Sequence, residues 1–505
     1  MEKTSKQIKV GALISYGALA INIAATILYM PWMVSVIGKA NYAMYTLANS
    51  FVSIFVMDFG LSASVSKFIA EYRAEKNIQK ETEFISTISK VYLVLDIIIA
   101  LVLAVLFFFI DKIYTGLTPD EIETFRQLYL IVASYAVVSF PFMPLSGIMY
   151  AYEKLIETKL CEMLQKLFSI VLVVLALLYR ADVRLVVLAN VLSALVAMAV
   201  KYCIVRRGTD IRIKFSAAKL AMFRKVAGFT VWIAIQALAQ RCIFNLAPSI
   251  LGIVAASEDI AVFSPASSIE SYFASVAAAI NGFFIMRVTK YIIADENDRL
   301  YHLLLKVGRF QVLLLGLIYI VFICVGDDFM TAWMGVDFRM AWPCAALIMI
   351  PDILIFSEQV ANTAAIANNL VKQQALGYLF MAAICVLCSF PLSRMFGAVG
   401  ASAAIAIAYT ALFIYNNILY TRRMKLDMLK FLKECYGSVI IPMVFAGAAA
   451  FFICSRLITA GGWFGVVVKG AVTFILYVPA ALAAMTKQEK EIVSNFLKSK
   501  DKKSL

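Results

Sequence analysis

Apolar stretches long enough to cross a lipid bilayer recur along the whole chain, and they constrain its fold more than any other feature of the sequence. About 20 apolar residues in a helix span roughly 30 Å of hydrocarbon. No interval between these stretches is large enough for a separate soluble domain. Hydrophobic residues make up 63% of the chain and charged residues 15%, outside the range of soluble globular proteins. The sequence therefore predicts an all-α polytopic membrane protein.

We expect about fourteen transmembrane helices. Their predicted ranges are 11–32, 43–66, 91–110, 128–150, 161–179, 185–200, 226–250, 260–286, 310–326, 340–359, 374–391, 398–419, 437–455 and 463–485.

Lys and Arg residues collect in alternate loops. Most of the 46 basic residues lie on the cytoplasmic side if the N-terminus is cytoplasmic, which is the side that cationic loops prefer. Both termini are therefore predicted to be cytoplasmic. Three bases, Lys166, Arg241 and Lys469, fall within helices. The basic loops account for the net charge of +14, and such loops are attracted to the anionic inner leaflet. We therefore expect membrane lipids and no nucleic acid as partners.

The cysteine and histidine content argues against metal and thiol chemistry. Cys385 and Cys388 have C-x-x-C spacing but lie in an apolar helix, so we interpret them as packing residues. His302 is the single histidine and lies in a basic loop, which nearly excludes a His-based metal site or catalytic triad. We expect no metal, no cofactor and no catalytic residue.

The second half of the chain repeats the first half at a displacement of about 218 residues. The segment "NYAMYTLANSFVSIF" (41–55) aligns with "DIAVFSPASSIESYF" (259–273). The hydroxyl residues that coincide are Thr46, Ser50 and Ser53 with Ser264, Ser268 and Ser271. This spacing places the hydroxyls on one helix face in each half. An even number of helices separates the copies, which predicts a parallel repeat of two lobes with a substrate path between them.

Two segments carry a resemblance to a known family. They are "GKANYAMYTLANSFVSIFVMDFGLSASVSKFIAEYRAEKN" (38–77) and "FPFMPLSGIMYAYEKLIETKLCEMLQ" (140–165). They resemble the polysaccharide-transporter branch of the multidrug/oligosaccharidyl-lipid/polysaccharide exporter superfamily, which includes Wzx-type flippases of O-antigen and capsule repeat units. The resemblance implies two six-helix lobes forming a V, two additional C-terminal helices, and outward transport of an undecaprenyl-pyrophosphate-linked oligosaccharide by alternating access.

The resemblance also implies the bacterial plasma membrane as location and polysaccharide polymerase machinery as a partner. The corresponding domain boundaries are 1–205 for the N-terminal lobe, 206–225 for a cytoplasmic linker, 226–420 for the C-terminal lobe, 421–485 for two further helices and 486–505 for a cytoplasmic tail.

A path for a sugar and a pyrophosphate should be lined by hydroxyls and amides and should carry bases at selected points. The candidate residues for this path are Asn22, Tyr29, Ser50, Ser53, Gln236, Gln240, Arg241, Asn245, Ser268, Ser271 and Asn281. Arg241 stands out because an unpaired guanidinium facing lipid is costly. Two interpretations remain open for it: a bidentate contact with the pyrophosphate, or a salt bridge to Glu270.

Intramembrane acids are candidates for ion coupling or gating. They are Asp58, Asp96, Glu270 and Glu358. Asp58 could relay a proton or cation, pair with a base such as Lys67 in a gate, or serve as an interfacial carboxylate beside a neighbouring lobe or helix end. Both a proton and a sodium ion remain open as the driving ion.

Three functions are compatible with these features, and a lipid-linked oligosaccharide flippase is favoured. The second is an ion-coupled drug/cation antiporter of the same superfamily, which would need few cavity bases and a tight acidic cation site. The third is an integral-membrane polysaccharide polymerase or glycosyltransferase, which usually needs a large outer loop with catalytic acids. The outer loops here are short, and we interpret Asp327 and Asp328 as solvated turn residues.

Overall fold

The computed structural model describes residues 2–56, 61–209, 220–281, 284–486 and 489–490. Within these ranges the chain forms α-helices and short 3-10 helices, and no β-strand. The α-helices are α1 (Glu2–Ile37), α2 (Lys39–Ser53), α3 (Leu61–Ala74), α4 (Ile78–Ile113), α5 (Pro119–Ser139), α6 (Pro144–Ala151), α7 (Leu155–Tyr179), α8 (Val183–Gly208), α9 (Leu220–Val254), α10 (Ser257–Asn281), α11 (Ile285–Ile293), α12 (Asn297–Met334), α13 (Ala341–Ser357), α14 (Gln359–Ala367), α15 (Val371–Met424), α16 (Met428–Tyr436), α17 (Ile440–Arg456) and α18 (Gly462–Ala484).

Ten helices in the described residues are long and apolar enough to cross a membrane, or eleven if the bent pair of α16 and α17 forms one span. Their apolar surfaces are largely exposed. An 18-residue stretch of α7 has a mean hydropathy of 2.1, yet only 17% of this stretch is buried. Leu28 and Phe108 are 77% and 76% exposed. Such an apolar surface is stable only against lipid, so the chain is a multi-pass membrane protein.

The predicted count of about fourteen helices is not confirmed by these spans. The longest helix, α15, contains 54 residues, which is about 80 Å and too long for one crossing. It covers two predicted helices, 374–391 and 398–419. Other differences arise where polar residues interrupt the apolar pattern. The range 43–66 forms two shorter helices, α2 and α3, with residues 57–60 outside the described ranges, and α10 does not reach the required hydropathy.

A glycine separates the two halves of α15. Gly397 has φ of 55° and ψ of −132°, a conformation that disfavours residues with a Cβ atom. The Oδ1 atom of Asp259 lies only 2.1 Å from where a Cβ of residue 397 would be. The same oxygen accepts a hydrogen bond from the Ala398 amide at 2.8 Å, and so caps the start of the second half.

The chain folds as two compact units. Unit 1 comprises Met1–Ser264 and Tyr378–Ala404, and unit 2 comprises Pro265–Gly377 and Ile405–Leu505. These two units do not test the predicted division into lobes, linker and tail. That division stays a prediction, with boundaries at 1–205, 206–225, 226–420, 421–485 and 486–505.

In unit 1, α2 is surrounded by other helices. It contacts α1, α5, α8 and α9, and its residues Leu47, Ala48 and Val52 are fully buried. Side chains on different faces of α2 therefore pack against different helices of unit 1.

In unit 2, a buried arginine fastens the C-terminal helices to α12. Arg309 is 4% exposed, and all five of its N–H donors are used. Its acceptors are both carboxylate oxygens of Glu489, the carbonyls of Glu434 and Ala484, and the hydroxyl of Ser438. Burial raises the pKa of Glu489, but hydrogen bonds from Arg309 and from the Thr486 amide outweigh burial and leave this pKa below its usual range.

The internal repeat is visible in two pairs of tight turns. Each turn places one non-glycine residue in the left-handed region, a conformation that few such residues adopt. The paired residues are Lys76 (φ 53°) with Asp295 (φ 52°), and Glu153 (φ 55°) with Asn369 (φ 58°). The backbone hydrogen bonds also correspond, because Asn77 donates to Tyr72 as Glu296 donates to Tyr291. The pairs recur near the predicted displacement of about 218 residues, so the helices before and after each turn have the same local arrangement in both copies.

Candidate functional site

Two of the predicted path residues in unit 1 are directly connected. The Ser53 hydroxyl on α2 donates to Oδ1 of Asn245 on α9 at 2.8 Å, and the Asn245 amide donates to the carbonyl of Arg241 at 3.0 Å. Ser53 also donates to the carbonyl of Ser50 at 2.8 Å. The hydroxyl face of α2 is therefore in contact with the polar part of α9.

A second group of predicted residues is brought together by a tyrosine of α15. Tyr378 is within hydrogen-bonding reach of both Gln236 and Gln240. Arg241 follows Gln240 and has an exposed side chain. No described carboxylate forms an ion pair with it, so its charge is available to an external anion or to lipid headgroups.

Lys166 on α7 was noted in the sequence as an intramembrane base but was not predicted to line the path. Its side chain is exposed, and it has no ion pair with any described acid. Lys469, the third base within a helix, forms a salt bridge with Asp328 and is 12% exposed. Lys166 and Arg241 are therefore the two of these three bases whose charge the described residues leave uncompensated.

A chain of neutral polar groups connects α1, α2, α7 and α8. The Ser169 hydroxyl donates to Oδ1 of Asn190, and the Asn190 amide donates to the hydroxyl of Tyr45 at 3.2 Å. Tyr29 on α1 is close enough to Tyr45 for their hydroxyls to interact electrostatically. Asn22, seven residues before Tyr29, has a buried Oδ1 atom with no described partner. The predicted residue Tyr29 thus lies beside polar groups that the sequence did not single out.

The predicted path residues of unit 2 lie on α10. Ser268 is half-buried on α10, and the carbonyl of Ser271 accepts a hydrogen bond from Ser275 at 2.7 Å. Asn281 is the last residue of α10, and its side chain lies outside what the structure describes.

Two buried carboxyl groups meet in unit 2. Glu270 on α10 is 7% exposed, Asp352 on α13 is 4% exposed, and their carboxyl groups are close enough to interact electrostatically. Two buried carboxylates side by side repel each other unless one of them is protonated. The sequence identified Glu270 but missed Asp352. The position of Asp352 in an apolar run, directly after Pro351, was the available signal.

The other acids predicted for ion coupling are separate from this pair. Glu358, 2% exposed, accepts a hydrogen bond from Asn417 at 2.5 Å. Asp96, 8% exposed, lies in unit 1, and its Oδ1 atom has no described hydrogen-bond partner. Asp58 lies outside the described residues. No group of three or more His, Cys, Asp or Glu side chains in the described ranges is arranged to hold a metal ion.

The acids considered for a polymerase are engaged in salt bridges. Asp327 and Asp328 lie within α12, which continues to Met334, and are not in a turn as predicted. Asp327 accepts two hydrogen bonds from Arg339 at 2.5 and 2.6 Å, and Asp328 pairs with Lys469. Helix α12 thus extends beyond the predicted range 310–326 at both ends, and its last turns carry acids that are paired with bases.

The motif residues of the first 165 positions form a joint between α3, α4 and α6. The Arg73 guanidinium donates to the carbonyl of Ala151 at 2.8 Å and lies 3.9 Å from the centre of the Tyr152 ring. The Tyr152 hydroxyl in turn donates to the buried Glu81 carboxylate at 2.7 Å. Arg73 and Tyr152 of the two segments, together with Glu81, therefore stabilise one helix junction.

A family model described as "Polysaccharide biosynthesis protein" matches residues 9–285, which is more than half of the chain. The chain belongs to the polysaccharide biosynthesis protein family. The resemblance found in the first 165 residues is therefore confirmed. A search of curated proteins finds no match.

Several solved structures share the fold of this family member. Lipid II flippase MurJ in an inward closed conformation matches with a TM-score of 0.74 and 12% identity, covering 94% of this chain and 98% of that one. An inward-facing multidrug resistance MATE family transporter of the MOP superfamily matches with a TM-score of 0.66 and 14% identity, over 83% of this chain and 99% of that one. A MOP superfamily transporter from Pyrococcus furiosus matches with a TM-score of 0.60 and 14% identity, over 84% and 95% of the two chains. The fold is that of membrane transporters.

Proposed function

We propose that this chain is a flippase that carries an undecaprenyl-pyrophosphate-linked oligosaccharide repeat unit across the bacterial plasma membrane by alternating access. The observation that carries the proposal is the pair of uncompensated bases in unit 1, Lys166 and Arg241. An intramembrane cation without an acidic partner is costly unless it meets an anion or water. The pyrophosphate of a lipid-linked sugar is an anion of the required kind, and the match to the lipid II flippase fold supports the same class of substrate.

The two bases suit different tasks. The planar guanidinium of Arg241 can donate two parallel hydrogen bonds to one phosphate, whereas the ammonium of Lys166 acts as a mobile point charge. On α9, Gln240 precedes Arg241 and Asn245 lies one turn after it, and on α7, Lys166 precedes Ser169 by one turn. Each base thus lies within about one turn of a neutral polar side chain, which suits a headgroup that contains both phosphate and sugar.

An apolar groove in unit 2 has the chemistry that a prenyl chain requires. Its volume is about 590 Å³, and its lining includes Gly316, Ile320, Ile353, Met443 and Phe451. The walls belong to α12, α13, α16 and α17. An apolar chain in such a groove gains contact with protein without exposing polar groups to lipid.

The flippase proposal is tested by deleting the gene in its native host and restoring it in variant forms. We expect lipid-linked repeat units to accumulate on the cytoplasmic face in the deletion strain and in strains with Arg241→Gln or Lys166→Gln. Arg241→Lys should restore part of the transport, because lysine keeps the charge and loses the planar fork. Lys112→Gln removes an exposed base at the end of α4 and serves as the matched control, with wild-type transport expected.

Two results would contradict the proposal, provided that the variants are present at normal levels. Translocated but unpolymerised units in the deletion strain would support the polymerase instead. An unchanged pool of lipid-linked intermediates would exclude this substrate altogether.

The buried carboxyl pair favours a proton as the driving ion, and it also supports an ion-coupled drug/cation antiporter as the second candidate function. A single proton on Glu270 or Asp352 would relieve the repulsion between the two groups, and losing that proton would leave adjacent negative charges that attract a cation. We expect Glu270→Gln and Asp352→Asn each to abolish the dependence of transport on a pH gradient in proteoliposomes. Asp96→Asn, which neutralises a buried acid outside the pair, should retain it.

Retention of the pH dependence by both pair variants would show that the pair does not couple transport. The two functions are separated by the cargo: an antiporter would move organic cations in the same vesicles, and its deletion would leave lipid-linked sugars unchanged.

A further inference from the structure

We propose that Tyr29, Tyr45 and Asn190 form a saccharide-binding subsite in unit 1. The proposal rests on the flippase function and adds to it the part of the protein that recognises the sugar rather than the pyrophosphate. The subsite lies near the end of α1 and the start of α2, where Tyr29 and Tyr45 come close together, and between α7 and α8, where Ser169 and Asn190 are joined.

The hydrogen bonds that join Ser169, Asn190 and Tyr45 run in one direction. Ser169 donates to Asn190, and Asn190 donates to the oxygen of the Tyr45 hydroxyl at 3.2 Å. Tyr45 therefore acts as an acceptor inside the protein, and its own hydrogen has no described acceptor. Asn190 has a second amide hydrogen in the same position, since only one of its two is engaged. This series of hydrogen bonds therefore ends in donors that have no described acceptor.

The polar groups of Tyr29 and Asn22 on α1 have a weak partner or no described partner. The Tyr29 hydroxyl donates to the sulfur of Met33 at 3.0 Å, and a thioether is a weak acceptor. The Oδ1 atom of Asn22 is buried and has no described partner. Asn22 and Tyr29 are seven residues apart, so they share a face of α1 about 10 Å apart. A buried acceptor without a partner costs free energy that a ligand donor could restore.

These groups fit a neutral ligand with many hydroxyl groups better than they fit a phosphate. The side chains of Tyr29, Tyr45 and Asn190 are neutral and together offer both donors and acceptors, whereas a phosphate needs donors and positive charge. Tyrosine presents an apolar ring beside a hydroxyl, and a sugar likewise presents C–H faces beside hydroxyl groups. Lys166 lies one helical turn before Ser169 on the same face of α7. A sugar held by Tyr45 and Asn190 would thus have a base on the adjoining turn for the pyrophosphate to which it is attached.

The experiment compares two probes on the purified full-length chain. The first is the lipid-linked oligosaccharide extract that accumulates in the native host when the gene is deleted. The second is undecaprenyl pyrophosphate without sugar. We expect Tyr45→Phe and Asn190→Ala to weaken binding of the extract about three- to tenfold, the loss associated with one hydrogen bond, and to leave the sugar-free probe unchanged.

Tyr29→Phe keeps the proposal testable if those two variants fold poorly. The Tyr29 hydroxyl donates a hydrogen bond only to the thioether sulfur of Met33, which is a weak acceptor. Removal of this hydroxyl should therefore leave the fold intact while still weakening binding of the extract. Tyr129→Phe is the structural control. It deletes a buried hydroxyl that donates to the carbonyl of Leu103 at 2.7 Å, and it should reduce thermal stability without changing the affinity for either probe.

Each other outcome has a definite meaning. Equal weakening of both probes by the subsite variants would show that these residues support the fold, and unchanged binding of both would show that they do not contact sugar; either result overturns the subsite. Equal affinity of the wild type for the two probes would overturn the subsite and leave the flippase proposal standing. No binding of either probe to the wild type would refute the flippase proposal, and the subsite with it.

Discussion

The bases inside the bundle differ in how completely their donors are satisfied, and this difference separates structural charges from candidate transport charges. Arg309 donates all five N–H groups to acceptors within unit 2. Lys469 is paired with Asp328. Arg241 and Lys166 have no such partners among the described residues. A saturated cation has little left for a ligand, whereas an unsaturated one needs an external anion.

Replacement of Arg309 by lysine should strongly destabilise the chain. Lysine has three donors and no planar fork, so the carbonyls of Glu434 and Ala484 and part of the Glu489 carboxylate would lose their partners. We expect Arg309→Lys to lower the free energy of unfolding by about 3 kcal/mol. The measurement is the midpoint of thermal unfolding in detergent.

The matched control for this change is Arg299→Lys on the same helix. Arg299 forms a salt bridge with Glu296 at 2.8 Å, but its side chain is 68% exposed, so the change should have little effect. Similar midpoints for the two variants would mean that the contacts of Arg309 contribute little to stability.

At the scale of the helices, breaks in α15 and α13–α14 decide how the chain packs. α13 ends at Ser357 and α14 begins at Gln359, so the buried Glu358 occupies the break between them. The two halves of α15 meet at Gly397, where Asp259 caps the second half. At Gly397 the Asp259 carboxylate satisfies a backbone amide that a continuous helix would satisfy by itself, whereas Glu358 accepts a hydrogen bond from the Asn417 side chain.

Replacement of Gly397 by alanine should destabilise unit 1. A Cβ atom at this position would lie 2.1 Å from the Asp259 carboxylate, and the φ of 55° costs alanine about 1–2 kcal/mol. Gly470→Ala on α18 is the control, since nothing lies within 4 Å of its Cβ position. There we expect a gain of about 0.5–1 kcal/mol from the higher helix propensity of alanine. Thermal unfolding of both variants gives the comparison, and a neutral Gly397→Ala would show that the break does not require glycine.

At the scale of the whole molecule, the basic loops predict how the chain is oriented in the membrane. With both termini cytoplasmic, the segment 111–127 is external and the end of α8 is internal. In a background with Cys203→Ser, a membrane-impermeant thiol reagent added outside intact cells should label Asp120→Cys and spare Arg207→Cys. Both positions are exposed in the structure, so a difference in labelling would report the side of the membrane. Labelling of Arg207→Cys alone would reverse the predicted orientation.

The class of protein, its family and its internal repeat were all determined by the sequence alone. Each of these depends on residues close together in the chain: the length of an apolar run sets whether a helix can cross a bilayer, and the motif residues Arg73 and Tyr152 lie within the matched first part. The polar candidates Ser53, Asn245, Gln236 and Gln240 could be found for the same reason, because polar residues stand out in apolar helices.

The pairing of those polar residues was decided only by the tertiary structure. Ser53 and Asn245 are 192 positions apart, and Arg309 and Glu489 are 180 apart, so no local pattern indicates that they meet. Periodicity shows which side chains share a face of one helix, but not which other helix packs there. For the same reason, the sequence left a salt bridge to Glu270 open as the partner of Arg241. The fold instead placed Asp352 against Glu270, and a lone acid became a carboxyl pair because two distant helices pack together.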